Sequence, residues 1–151
     1  MLGNMYPFWA ALTANLIAQL LKPMVYYHNT KEWVPHLALE SGGFPSSHTA
    51  TVVSLALAVG IQERFSSTVF AVAAMFALVV IYDAANVRYY AGQNIRITQQ
   101  LIRDIQILTE AKLDDPIYMT RVKEVLGHKW MEVIAGVGIG LLIAALTYFL
   151  R

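Results

Sequence analysis

The sequence predicts an all-α integral membrane protein, a bundle of about four transmembrane helices with an amphipathic helix on its cytoplasmic side. Apolar residues make up 57% of the 151 residues and charged residues only 14%, whereas soluble domains carry about 25% charged residues. The mean hydropathy of +0.50 also indicates a membrane protein. The apolar residues are gathered in long runs separated by short polar segments, a pattern typical of membrane spans.

Length, charge and cysteine content narrow the class further. A chain of 151 residues suits one domain, so residues 1–151 are predicted to form a single membrane-embedded unit. The net charge of +1 gives no concentrated basic face, and we expect no nucleic-acid partner. The absence of cysteine excludes disulfides and thiolate metal sites. The first apolar run lacks a basic leader and a cleavage site, so it is interpreted as a retained span.

Residues 6–27 form the first predicted span, with aromatic residues near both ends as at a membrane interface. Lys22 lies inside this span, one turn from its end, and is followed by Pro23. Two interpretations of Lys22 stay open. Its ammonium either extends to the headgroups or faces the bundle interior as a ligand of a phosphate.

The next two apolar runs predict a helical hairpin. Residues 49–61 are short for a span and reach bilayer length only if the glycine-proline segment before them is sunk into the membrane. A polar turn at 62–66 leads to the apolar run 69–82, which continues into the polar cluster 83–92. Packing of the two runs as a hairpin brings His48 and that cluster to the same end.

The rest of the chain predicts one amphipathic helix and one further span. The amphipathic helix covers residues 93–112, and its apolar face carries Leu101, Ile105 and Leu108. This pattern favours a cytosolic or dimer-packing helix over a lid. Residues 130–150 form the last span, in which Gly136 and Gly140 favour close helix packing over a phosphate loop because they lie at mid-membrane.

The distribution of basic residues predicts the orientation in the membrane. Four spans place both termini and the 62–66 turn on one side, which carries only Arg64 and Arg151. The other side receives the remaining basic residues outside the spans, namely Lys31, Arg88, Arg96, Arg103, Lys112, Arg121, Lys123 and Lys129. Positively charged loops stay cytoplasmic. We therefore expect a multi-pass protein of the cell membrane with both termini outside and its candidate chemistry at the cytoplasmic face.

The stretch 41–49 (SGGFPSSHT) has the composition of an anion site with an acid beside it. Its two glycines permit positive φ and close approach of a ligand, and its proline favours an extended entry and also suits the first turn of a helix. Ser46 and Ser47 suit an N-cap, where free N–H groups attract anions. His48 can exchange a proton with an anion bound there. The alternative is an ordinary capped helix with a structural histidine.

A second histidine, His128, is followed four residues later by Glu132. On a helix the two would share a face, and a carboxylate on one ring nitrogen raises the basicity of the other, which is free to act as a nucleophile. One histidine near a membrane interface is usually structural. Two histidines at the polar ends of spans, with a carboxylate, a lysine and an arginine on the same side, favour a catalytic site.

These motifs together resemble a known superfamily. PSSH at 45–48 is similar to the Pro-Ser-Gly-His motif of the type 2 phosphatidic acid phosphatase and vanadium haloperoxidase superfamily, and HKWMEVIAG at 128–136 is similar to its last motif. The combination of GGFPSSH, YDAANVR at 82–88 and GH at 127–128 resembles more closely the small divergent branch called acid phosphatase/haloperoxidase-related. The resemblance covers nearly the whole chain.

The resemblance implies a phosphatase that needs neither a metal nor a cofactor. His128 would attack phosphorus and form a phosphohistidine, His48 would protonate the leaving alkoxide, and water would then release phosphate. Glu132 would orient His128. The predicted phosphate-binding residues are Lys22, Gly43, Ser46, Ser47, Arg88 and Lys123.

The sequence departs from the superfamily pattern in several places. Glu132 stands where aspartate is usual, and the arginine expected six residues before the nucleophile is absent. Arg88 and Lys123 both stay open as its replacement. Asp83 is a supporting candidate without an assigned role, because it lies five residues from Arg88, a poor α-helical spacing for a pair; Lys22 is an alternative partner.

We therefore expect a phosphatase of a lipid phosphomonoester, such as phosphatidylglycerophosphate, phosphatidate or a prenyl phosphate, that acts from the cytoplasmic leaflet. The bilayer and the lipid phosphate are the expected partners, and a homodimer stays open. Two alternatives also stay open. One is a catalytically weak or inactive membrane protein that binds a lipid or another anion, and the other is a small transporter component whose polar residues form a pathway.

Overall fold

A computed structural model describes residues 5–40, 42–109 and 129–150, and all regular structure within them is helical. The prediction of an all-α fold is confirmed. In chain order the elements are α1 (Tyr6–Thr30), a 3-10 helix (Pro35–Leu39), α2 (Ser47–Glu63), α3 (Thr68–Tyr82), a π-helical turn (Asp83–Val87), α4 (Arg88–Thr109) and α5 (Trp130–Phe149).

Helix α2 is the centre of the bundle and packs against α1, α3 and α5. Its contact with α1 is antiparallel, because Ala58 clusters with Ala10 near the start of α1 and Ala50 clusters with Ala18 further along it. Alanines in the contact let the two helix backbones approach closely, which is how helices associate in a membrane. The Nδ2 of Asn15 also donates to the Oγ1 of Thr51 across this contact at 2.9 Å.

Helix α5 lies parallel to α2, and two glycines set their separation. A Cβ atom added at Gly136 would lie 2.5 Å from the carbonyl oxygen of Ser46, and one at Gly140 would lie 2.7 Å from that of Ala50. At Gly138 an added Cβ would meet nothing within 4 Å. The prediction that Gly136 and Gly140 serve close helix packing is confirmed.

Among the described residues, three helical segments are long and apolar enough to cross a membrane: Tyr6–Thr30, Thr68–Leu108 and Trp130–Phe149. Helix α2 is not one of them, so the prediction of four spans is not confirmed. Its 17 residues extend about 25 Å, and a hydrocarbon core is about 30 Å thick. The side of the membrane on which each terminus lies stays a prediction.

Two predicted boundaries need correction. Helix α1 continues through Pro23 to Thr30, so Lys22 lies more than two turns from its end. The predicted span at 69–82 and the amphipathic helix are not separate, because the π-helical turn joins them into one segment of 41 residues, Thr68–Leu108. The apolar side chains of Leu101 and Leu108 on α4 stay 56% and 82% exposed.

Candidate phosphate site

Most of the described candidate residues gather at one end of the bundle. Two hydrogen bonds mark this end: Lys22 Nζ donates to the carbonyl of Glu40 at 2.7 Å, and Ser46 N–H donates to the carbonyl of Glu132 at 3.0 Å. The π-helical turn contacts α5 at the same end. The tertiary structure therefore brings together α1, the start of α2, the turn at 83–87 and the start of α5.

The N-terminus of α2 is a buried cluster of hydroxyls. Ser46 is the N-cap, and its Oγ accepts a hydrogen bond from Thr49 N–H at 3.3 Å and lies 3.0 Å from Thr49 Oγ1. Ser47 is 1% exposed, and its Oγ finds no hydrogen-bond partner in the part of the chain that the structure describes. The N-cap prediction for Ser46 is confirmed. The placement of Pro45 in the first helical turn is wrong, because the helix begins at Ser47 and Pro45 precedes its N-cap.

The two glycines before this helix adopt left-handed backbone conformations, with φ of 97° at Gly42 and 81° at Gly43. The Phe44–Pro45 peptide bond that follows is cis. A Cβ atom at Gly43 would meet nothing within 4 Å. Glycine is therefore required at position 43 by its φ and not by lack of space.

Lys22 lies in the protein interior at 3% exposure, and its ammonium is held by the Glu40 carbonyl. This burial matches the interior interpretation of Lys22 and not an ammonium extended to the headgroups. A buried ammonium needs hydrogen-bonding or charged partners, because transfer of an unpaired charge from water is very costly. Whether a phosphate is one of its partners stays a prediction.

The start of α5 lies directly against the start of α2. Its N-cap is Lys129, which is extended with φ −69° and ψ 151°, and the helix begins at Trp130. Glu132 lies in the first turn, where its N–H donates to the Lys129 carbonyl at 2.9 Å. The predicted nucleophile His128 lies outside the described residues, as does Lys123. The role of Glu132 in orienting His128 therefore stays a prediction.

Asp83 opens the π-helical turn. The α-helical spacing argument against a pairing of positions 83 and 88 does not hold there, because a π-helix closes its hydrogen bonds between residues five apart. The side chain of Arg88 lies outside the described part of the structure, so the pairing itself stays a prediction. A cavity of about 190 Å³ lies beside the contact of this region with the start of α5 and is lined by Ala85, Asn86, Tyr89, Tyr90, Lys129 and Trp130.

The structure adds two residues to this end that sequence reasoning did not single out. Thr49 is buried and contacts the N-cap hydroxyl, a contact that its position three residues after Ser46 could have indicated. Glu40 contributes its backbone carbonyl to Lys22, and no sequence signal marks a backbone contact of this kind. Among the described residues no group of three or more His, Asp or Glu side chains is arranged to hold a metal ion.

The helical architecture and the apolar spans define an integral membrane protein of the all-α class. The chain belongs to the Divergent PAP2 family, whose family model matches residues 4–143. It is 31% identical over 150 residues to the "Uncharacterized membrane protein YuiD" of Bacillus subtilis (strain 168), an alignment that covers 95% of each chain. No solved structure matches the chain. The resemblance drawn from the sequence motifs is thus confirmed at the level of the family.

Proposed function

We propose that this chain is a metal-independent phosphatase of lipid phosphomonoesters that acts through a phosphohistidine. One observation carries the proposal: the start of α2, with its buried hydroxyls, is hydrogen-bonded to the first turn of α5, four residues after His128. Ser46 and Glu132 belong to the two motifs that supply a general acid and a nucleophile in the superfamily, which supports a shared site. Membership of the Divergent PAP2 family supports this chemistry.

The proposed reaction has two steps. A ring nitrogen of His128 attacks phosphorus, the bond from phosphorus to the leaving oxygen breaks, and His48 gives its proton to that oxygen. A water molecule then attacks phosphorus, His48 takes a proton from it, and the phosphorus–nitrogen bond breaks to release inorganic phosphate. The second step restores both histidines.

Charge stabilisation comes from the chain itself in this proposal. Phosphoryl transfer depends mainly on positioning and on stabilising the charge of the equatorial oxygens. The Ser47 hydroxyl and the Ser47 backbone N–H at the start of α2 bind those oxygens, and Lys22 supplies a positive charge. Arg88 or Lys123 supplies a second one.

The substrate is an amphiphile of the cytoplasmic leaflet, of the phosphatidylglycerophosphate, phosphatidate or prenyl phosphate type. A site at the end of a bundle of apolar helices leaves the substrate tail in the bilayer while the phosphate reaches polar groups. A catalytically weak or inactive anion-binding protein is the second candidate. Two departures from the superfamily pattern favour it: Glu132 in place of aspartate, and the missing arginine six residues before His128.

Phosphate release from a panel of purified lipid phosphates tests the proposal. We expect turnover that persists with a chelator, is inhibited by vanadate and is lost in His128→Ala. His28→Ala is the matched control, because His28 is an exposed histidine in the last turn of α1. Unchanged release by His128→Ala would refute the mechanism, and vanadate binding without any phosphate release would favour the inactive candidate.

A further inference from the structure

A cavity of about 270 Å³ adjoins the candidate phosphate site on the α1 side. It lies between the last turns of α1 and the segment that leads to α2, and its wall includes Lys22, Val25, Asn29 and Gly43. Lys22 and Gly43 belong to the predicted phosphate-binding set. A molecule in this cavity would therefore adjoin the proposed phosphate position.

The aromatic residues around the cavity are typical of the membrane interface. The final turns of α1 carry exposed aromatic rings at Tyr26 and Tyr27, and the Tyr27 ring packs edge-on against Trp33 at 5.9 Å. Tyrosine and tryptophan concentrate at the interface between hydrocarbon and water. We therefore expect the cavity to lie beside the part of a lipid between its phosphate and its tails.

Size and lining define the chemistry that fits. At about 30 Å³ per water molecule, the volume holds about nine water-sized groups, which is enough for a short polyol and the first tail carbons. Val25, Leu37 and Phe44 supply carbon surface, whereas Lys22, Tyr26, Asn29 and Glu40 bear hydrogen-bonding groups. A prenyl chain would exclude water from the polar groups of Tyr26 and Asn29 without replacing their hydrogen bonds, which is unfavourable.

We propose that this cavity selects phosphomonoesters whose carbon chain bears a hydroxyl close to the phosphate, as in polyol-linked lipids, over prenyl or simple alkyl phosphates. The inference rests on the proposed function for its catalytic readout. Asn29 is the specificity residue, since its amide both donates and accepts hydrogen bonds. Val25 shapes the apolar wall.

The test compares dodecyl phosphate with 2-hydroxydodecyl phosphate, which differ by one hydroxyl, and measures binding of the two corresponding phosphonates, which cannot be hydrolysed. We expect about a tenfold preference for the hydroxylated probe, as for one added hydrogen bond. Asn29→Leu should bring the preference close to one, and His28→Leu, at an exposed neighbour outside the cavity lining, should retain it. Val25→Trp should weaken binding of both probes, whereas Met24→Trp, on the exposed side of α1, should not.

The two readouts separate this inference from the proposed function. A preference in phosphonate binding without hydrolysis of either phosphate would support the cavity's selectivity and refute the phosphatase. Hydrolysis of both phosphates at equal rates, with equal binding of both phosphonates, would overturn the selectivity and leave the phosphatase standing. A preference that survives Asn29→Leu would also overturn the assignment of Asn29.

Discussion

The backbone N–H of Ser46 donates to the carbonyl of Glu132 at 3.0 Å and joins the first residues of α2 to the first turn of α5. The bond connects two motifs that lie far apart in the sequence. It is followed along both helices by the close contacts at Gly136 and Gly140. Separation of α2 from α5 would therefore disturb the candidate site directly, which makes helix packing and activity testable together.

Glycine-to-alanine changes on α5 should distinguish the two glycines that pack against α2 from Gly138, which has open space beside it. Gly136→Ala and Gly140→Ala should each lower the free energy of unfolding by about 1–3 kcal/mol, because the new Cβ meets α2 backbone atoms. Gly138→Ala should be neutral or stabilising by up to about 1 kcal/mol, since alanine favours the helix and the space is open. Unfolding in one detergent measures all three, and equal effects would contradict the packing.

The caps of α2 and α3 offer a matched pair. Ser46 and Ser67 each accept a hydrogen bond from the backbone N–H three residues later, so either serine-to-alanine change should cost about 1 kcal/mol of stability. Only Ser46→Ala should also lower the rate of phosphate release, because Ser67 lies at the opposite end of α2. Stability and release measured on both variants decide this, and equal losses of activity would remove Ser46 from the site.

The effect of a Gly43 substitution on stability should come from the backbone conformation. Gly43→Ala should reduce stability by about 1–2 kcal/mol, because a left-handed φ of 81° is unfavourable for residues with a Cβ. Gly43→Asn should cost less, since asparagine tolerates this conformation. Thermal unfolding provides the comparison. If the asparagine variant were the less stable of the two, crowding and not φ would be the cause.

Loss of the buried ammonium should weaken anion binding. Lys22→Met should reduce vanadate affinity and lower kcat by about 10²-fold, the scale seen when one stabilising group of an oxyanion site is removed. Arg103→Met is the control, because this cation lies on the exposed surface of α4. Vanadate inhibition is measured for the unmodified protein, Lys22→Met and Arg103→Met. Unchanged inhibition of Lys22→Met would exclude contact between Lys22 and the phosphate.

The role of His48 as proton donor can be tested by comparing substrates with different leaving groups. His48→Gln should slow hydrolysis of an alkyl phosphate by about 10²–10⁴-fold, the usual contribution of general acid catalysis. A nitrophenyl phosphate should be affected far less, because nitrophenolate leaves without a proton. Rates with both substrates measure this, and an equal loss on the two would assign His48 a binding role.

The sequence by itself determined the features that depend on local chemistry and periodicity. The apolar runs predict the boundaries of α3 and α5 to within about one residue. The serine at 46 caps α2, and the glycines at 42 and 43 adopt positive φ. These follow from side-chain length, backbone freedom and hydrophobic period, all of which are properties of short segments.

Only the tertiary structure decided how these segments meet. The continuation of α1 through Pro23, the union of α3 and α4 through a π-helical turn, and the central position of the short helix α2 depend on packing between distant segments. The hydrogen bonds of Lys22 to Glu40 and of Ser46 to Glu132 use backbone carbonyls, which every residue carries. Residue identity cannot mark which carbonyl accepts such a bond, so the assembly of the site depends on the fold.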